Sequence, residues 1–298
     1  MGVFVQARAQ VSVQQPLCDQ WMTQPIAYDS AYQRALEADY KAFLDPMASR
    51  RMGKILKRAI ATSCTVVAQS GIAQPDAIIT GTGLGCLENT EKFLAALAND
   101  GESFLQPTFF INSTHNTISS HIAVHLHCHG YNNTYVHGHI SFESALLDAF
   151  MQFQLGRIHS ALVGGHDEMT PDLYRIFQRT GLWQNAMASE TAVSFMLADT
   201  RTPQSMAEIK GIEIMCHPSE NRMHQAREAL CRQAGMDPQT VVPFPVASIR
   251  TLFGHSFTAS AYDLYAAVAF LQAGKAPAYL IENRDHYGDN ASLILVSR

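Results

Sequence analysis

The stretch SFESALLDAFMQFQL, residues 141–155, would be apolar on almost every face of a helix. Ala145, Leu146, Leu147, Ala149, Phe150, Met151, Phe153 and Leu155 leave little polar surface. A helix at the edge of a globular protein keeps one polar face for water; one without such a face must be covered on both sides. ASAYDLYAAVAFLQAG, residues 259–274, reads as another mostly apolar helix, with Gly274 as its C-cap. Between such helices lie short β-prone runs: HSALVGGHDE (159–168), TAVSFMLAD (191–199), AEIKGIEIM (207–215), PAYLIE and ASLILVS. Strands alternating with sandwiched helices argue for an α/β protein built in layers.

The remaining stretches fit that alternation. Residues 30–69 read as helical, PDAIITGTGLGCLENTEKFLAAL (75–97) as strand, glycine turn and helix, and 107–130 as a short apolar segment followed by a helix. No low-complexity linker divides the chain, and RTPQSM (201–206) is the best loop candidate. Over 298 residues, 47% hydrophobic and 16% charged content indicates a globular, well-buried chain rather than a disordered one. A net charge of −5 gives no global reason to expect nucleic acid or a membrane surface as partner. No run approaches the ~18 apolar residues of a membrane span. The N-terminal stretch lacks a basic segment followed by an apolar one, so no signal peptide is expected, and Gln6 stands where a myristoylation motif needs Ser or Thr. Cys18, Cys64, Cys86, Cys128, Cys216 and Cys231 are dispersed, as expected of reduced thiols in the cytoplasm.

TYVHGHISFESALLDAF (134–150) reads as a strand, a tight turn at Gly138 and an N-cap at Ser141 before the apolar helix, which stops at Gly156. A strand running through a sharp turn into a buried helix can display a nucleophile at the helix N-terminus, where free N–H groups favour negative charge. The residue on that turn is His139. A G-x-S-x-G elbow at Ser141 fails, because its flanks are His139 and Glu143. TGTGLGCLE fails as a dinucleotide fingerprint, because Cys86 stands where the last glycine belongs and no acid lies near position 105. His121 and His125 share a helix face, but no Glu follows His121, and His127 and His129 break the spacing, so no metal site is expected. No cofactor site is expected either. Arg50, Arg51, Lys54, Lys57 and Arg58 gather in SRRMGKILKRA; this is either a plain solvated face or a docking patch for an acidic partner.

Taken in order, these pieces resemble a β-ketoacyl synthase, the condensing enzyme of fatty-acid and polyketide assembly. DPMASRRMGKILKRAIATSCTVVAQSGI is similar to the family's basic helix, and GTGLG to its first glycine turn. LGRIHSALVGGHDE resembles its Gly-x-x-x-x-Ala-Leu-x-Gly-Gly-x-Glu segment, and SETAVSFMLAD its Gly-Glu-Gly-Ala strand. SIRTLFGHSFTASAYDL resembles Lys-x-x-x-Gly-His-x-x-x-Ala, and YGDNASLILVS the terminal Gly-x-Asn-Ala-Ser-x-x-Leu strand. The resemblance implies a thiolase-like fold: two pseudo-repeated α/β halves in five layers (αβαβα), built as a dimer. The chain would form one domain, residues 1–298, with a first half to about residue 200 and a shortened second half over about 201–298.

Counting back 25 residues from Gly164 puts the family's nucleophilic cysteine at His139. A condensing cysteine holds the acyl chain as a thioester; acyl-imidazoles hydrolyse readily, so His139 is a poor substitute. His255 matches one of the two histidines that polarise the thioester carbonyl, and Arg250 stands for the motif's lysine. The Ala-His-Gly-Thr loop that carries the other histidine is not recognisable. His217 follows AEIKGIEIM and is a candidate, although that strand could equally be an earlier one of the second half. The resemblance is closest to short ketosynthase-like proteins of aryl-polyene and flexirubin pathways. It implies a chain-length factor: a non-condensing subunit that pairs with an active ketosynthase, shapes the acyl tunnel and docks acyl carrier protein through the basic helix. Two alternatives stand beside it. One is an acyltransferase or malonyl decarboxylase using His139 and His255 without a cysteine, and the other is a non-catalytic, homodimeric acyl-binding protein.

Overall fold

The computed structural model describes residues 2–50, 52–102, 105–285 and 288–298. Its elements run β1 (Val3–Val11), α1 (Pro46–Ser49), α2 (Lys54–Ser70), β2 (Ala77–Gly81), α3 (Leu87–Asp100), α4 (Pro107–Ile111), α5 (Thr117–His125), β3 (Tyr131–Tyr135), α6 (Ser141–Gln154), β4 (Ser160–Asp167), α7 (Pro171–Thr180), β5 (Thr191–Ala198), β6 (Ala207–Cys216), α8 (Glu220–Gln233), β7 (Val242–Pro243), α9 (Val246–Phe253), α10 (Ser260–Gln272), β8 (Ala278–Arg284) and β9 (Asn290–Ser297).

The strands form one hydrogen-bonded series, β3-β2-β4-β5-β1-β6-β9-β8-β7. Its two parts repeat a pattern. β1 pairs antiparallel with β5, β5 antiparallel with β4, and β4 parallel with β2. β6 pairs antiparallel with β9, β9 antiparallel with β8, and β8 parallel with β7. Each part has a register shift at the same place, between Val5 and Ala7 against β5 and between Ile209 and Gly211 against β9. The first part carries β3 as well, beside β2; among the described residues the second part has no counterpart. The pseudo-repeat with a shortened second half is thus as expected. The two parts join where Val3–Val5 pairs with Ala207–Ile209.

The layers follow from the two-residue period of a strand. On β4, Leu162 faces one way, toward Ile55, Leu56 and Ile60 of α2 and Ile118 and Ile122 of α5. Ala161 and Val163 face the other, toward Phe142, Ala145 and Ala149 of α6. On β9, Ile294 and Val296 meet that same middle cluster, while Leu293 and Leu295 meet Met223 and Leu230 of α8. The helices α6 and α10 therefore lie between the two parts of the sheet, as their apolar surfaces require. Every residue of α10 except Phe270 and Gln272 is buried.

The helix expected over residues 30–69 is only half present. Residues 31–39 are irregular but for one bridge from Tyr32 to Ala188, Tyr40–Ala42 makes a 3-10 turn, and the long helix starts at Lys54 behind Gly53. Long-range bonds override the helical composition there: Ala35 N donates to the Glu190 carboxylate (2.8 Å) and Leu36 N to Ser12 O (2.7 Å). Among the described residues no helix is long and apolar enough to cross a membrane.

Candidate functional site

The parallel strands β2, β3 and β4 end at one side of the sheet, where open α/β sheets place ligands. β3 leads through Val136 and His137 into a single 3-10 turn, Gly138–Ile140, and then into α6. Gly138 takes the left-handed φ of 56° that this sharp turn requires. Ser141 does not act as the expected N-cap. It is already helical, and its hydroxyl fastens the turn instead, accepting from His137 N (2.9 Å) and donating to Gly138 O (2.7 Å).

His139 on this turn lines a cleft of about 720 Å³ together with Trp183, Ala186, Arg250, His255 and Phe257. The Phe257 ring meets the His139 ring edge-on at 4.5 Å, and Trp183 meets it at 6.0 Å. Trp183 takes a left-handed φ of 55° and also packs on Phe177 and Phe257, both at 5.4 Å. The imidazole is caged by aromatic rings.

His255 enters the cleft from the loop between α9 and α10. Gly254 before it has φ 81°, and a Cβ there would overlap the Ser189 side chain. Main-chain bonds hold the loop: His255 N donates to Met187 O and His255 O accepts from Ser189 N, both 2.8 Å. Burial, aided by the charge of Arg250 and by His139, pushes His255 down to about 4, so its ring is neutral at pH 7. A neutral imidazole can donate one hydrogen bond to a carbonyl without carrying charge. Arg250, while it lines the cleft, forms an ion pair with the buried Asp263 at 2.5 Å.

Three supporting residues were not singled out from the sequence. Glu143, fully buried on the first turn of α6, accepts from Asn283 Nδ2 (2.7 Å) and Ser292 Oγ (2.9 Å), and burial raises its pKa. Asn283 also donates to His139 O (3.4 Å), which ties the turn to β8. Asp167 ends β4 and accepts from Thr82 Oγ1 (3.1 Å), Gly83 N (2.8 Å), and Thr258 N (2.7 Å) and Oγ1 (2.8 Å). It thereby joins the glycine turn to the His255 loop. A glutamate inside an otherwise apolar helix was the signal for Glu143, and Asp167 stands at the final Glu of the Gly-Gly-x-Glu segment that GGHD resembles; Asn283 had none.

The structure brings His139 and His255 together but does not bring His217 to them. AEIKGIEIM is β6, the first strand of the second part, and His217 beyond its end is 70% exposed, with its N donating to Asp289 O (2.6 Å). Of the basic residues, Arg58 is a correction. It is 1% exposed and paired with Glu37 (2.7 Å) and Glu190 (2.9 Å), because its position on α2 faces the sheet with Ile55 and Ala59. Arg50 is exposed in a turn ahead of α2, while Lys54 and Lys57 are partly exposed on its first turns; Arg51 lies outside the described residues. Arg50 and Lys54 share a polar depression of about 490 Å³ with Lys92 of α3. Among the described residues no three His, Cys, Asp or Glu side chains gather as metal ligands.

The family model for the N-terminal domain of β-ketoacyl synthases matches residues 19–239. Solved structures share the fold at low identity. A β-ketoacyl synthase from Burkholderia phymatum aligns with TM-score 0.79 at 12% identity, covering 100% of this chain and 99% of that one. The ishigamide ketosynthase/chain length factor aligns with TM-score 0.78 at 14% identity, covering 99% and 98%. A type II polyketide synthase acyl-carrier protein in complex with its ketosynthase bound to the hexaketide aligns with TM-score 0.82 at 13% identity, covering 99% of both chains. No curated protein matches the chain by sequence.

Proposed function

Because the chain belongs to the β-ketoacyl synthase family, we propose that it is a non-condensing subunit of the chain-length-factor kind, which pairs with an active ketosynthase and shapes an acyl-binding cleft. One observation carries this reading: the turn that would mount the nucleophile holds His139, and Phe257 and Trp183 cage its ring. No thiolate can form there, and an acylated imidazole would be lost to water. The cleft itself is retained, with its aromatic floor and a neutral His255.

An exposed edge supports a protein partner. Among the described residues β3 ends the sheet with one side unpaired, and Val124 of α5 (74% exposed), Met151 of α6 and Leu155 just after it are exposed beside it. An open edge flanked by apolar side chains is a ready template for another chain. The partner in this reading is an active ketosynthase, with a second copy of this chain as the alternative. Acyl carrier protein docks on Arg50, Lys54 and Lys57. The product class, aryl polyene among the candidates, follows from the partner rather than from this cleft.

Co-expression with a ketosynthase tests the pairing: a stable heterodimer is expected, and a solitary homodimer that ignores the ketosynthase would contradict it. A second reading has one observation in its favour, since His139 and His255 line the same cleft. In it the two rings decarboxylate a malonyl thioester. Malonyl-thioester decarboxylation that is lost in both His139→Ala and His255→Ala would establish that reading over the first.

A further inference from the structure

We propose that Phe257 sets how deep a ligand chain can enter the cleft, acting as a wedge held from behind by the glycine turn. The inference rests on the reading of the cleft as an acyl-binding site. Phe257 stands edge-on against His139 at 4.5 Å, with Phe177 at 5.6 Å and Trp183 at 5.4 Å on its other sides. Behind it lies Gly83. A Cβ built there would overlap the Phe257 side chain, so the ring rests directly on the glycine backbone and has no room to retreat.

The backbone on both sides of this contact is fastened to one carboxylate. Asp167 takes Gly83 N (2.8 Å) and Thr82 Oγ1 (3.1 Å) on one oxygen, and Thr258 N (2.7 Å) and Oγ1 (2.8 Å) on the other. The residue after the wedge and the turn behind it therefore move only together. A chain that reaches His139 in this cleft meets the Phe257 ring with the Gly83 backbone directly behind it. The ligand class is a straight or conjugated apolar chain, because Trp183, Phe257, Val246 and Ala247 line the cleft, while of its charged residues Arg250 is paired with Asp263 and Glu282 and Arg284 stand at the end of β8.

The test is a series of straight-chain alcohols, from butanol to tetradecanol, that displace an environment-sensitive fluorophore from the full-length protein. In the wild type each added methylene tightens binding about fourfold until the chain meets the wedge, after which affinity stays flat. Phe257→Ala moves that ceiling outward by about three carbons, judged from the ring area removed, and leaves the shortest alcohols within about twofold. Phe257→Trp moves it inward, and this variant together with Phe257→Leu decides the matter if the alanine variant does not fold. A ceiling at the same length in folded Phe257→Leu and Phe257→Trp proteins overturns the wedge while the acyl-binding reading survives. A wild type that binds none of the alcohols overturns the acyl-binding reading and the wedge with it.

Discussion

Replacing Arg58 by alanine gives the sharpest test of how the basic segment is used. The guanidinium is 1% exposed and lies 2.9 Å from Glu190, which is fully buried, and 2.7 Å from the half-exposed Glu37. Removing one partner of a buried ion pair costs about 3–5 kcal/mol, because the remaining charge is left without compensation in a medium that solvates it poorly. Glu190 would keep Arg34 at 3.4 Å and the Ala35 N–H at 2.8 Å, which places the loss at the lower end, about 3 kcal/mol. Each kcal/mol is worth about 2–4 °C in a chain of this order of size, so Tm should fall by roughly 6–12 °C. Thermal melting followed by circular dichroism measures this directly. Glu190→Gln in the Arg58→Ala background should recover part of the loss by removing the stranded charge. A single Arg58→Ala variant that melts within about 2 °C of wild type would refute the reasoning and return Arg58 to the docking surface.

Other outcomes follow from named contacts. Charge reversal at Arg50 and Lys54 should weaken acyl-carrier-protein binding at low ionic strength and have little effect at high salt, as surface charges do; binding by surface plasmon resonance at two salt concentrations checks it. Gly83→Ala should destabilise by about 1–3 kcal/mol through overpacking against Phe257, which a denaturant titration will read. His166 is buried with neither ring nitrogen hydrogen-bonded, and burial pushes its pKa down to about 3. The folded value lies below the unfolded one of about 6.5, so this group's stability is intact above pH 6.5 and is lost as pH falls toward 3. His166→Leu should therefore lose roughly 3 kcal/mol less than wild type between pH 7 and pH 4, and parallel pH profiles for the two proteins would contradict the assignment.

The layers could be read from sequence because α6, α10, β4, β5 and β9 are apolar on both sides, which leaves them one kind of place to go. β1 was missed for the opposite reason. Its alternate residues Gln6, Arg8 and Gln10 look solvent-facing, yet all are buried, where they donate to Thr200 O, the Asp19 carboxylate and Gln15 O. α8 has a single apolar face and little signal beyond Ser219, which caps it. His139 could be placed from the turn at Gly138 and its distance from Gly164 in the family it resembles, and His255 from that family's Gly-His motif. His217 could not, since the rank of its strand depends on pairing with β9 at the other end of the chain. Arg58 looked like a surface charge because its partner Glu190 belongs to a distant loop. The aromatic cage arises from α7, the Trp183 loop and Phe257, two residues after the Gly-His motif, a juxtaposition without sequence spacing.

The central claim is that the nucleophile mount of this chain does not condense acyl chains. Intact-protein mass spectrometry after incubation with acyl- and malonyl-carrier protein, alone and with the co-expressed ketosynthase, tests it most directly. The expected result is no stable acyl adduct on this chain in either mixture, with condensed product formed only when the ketosynthase is present. A persistent acyl mass on this chain, or condensed product formed by it alone, would contradict the claim.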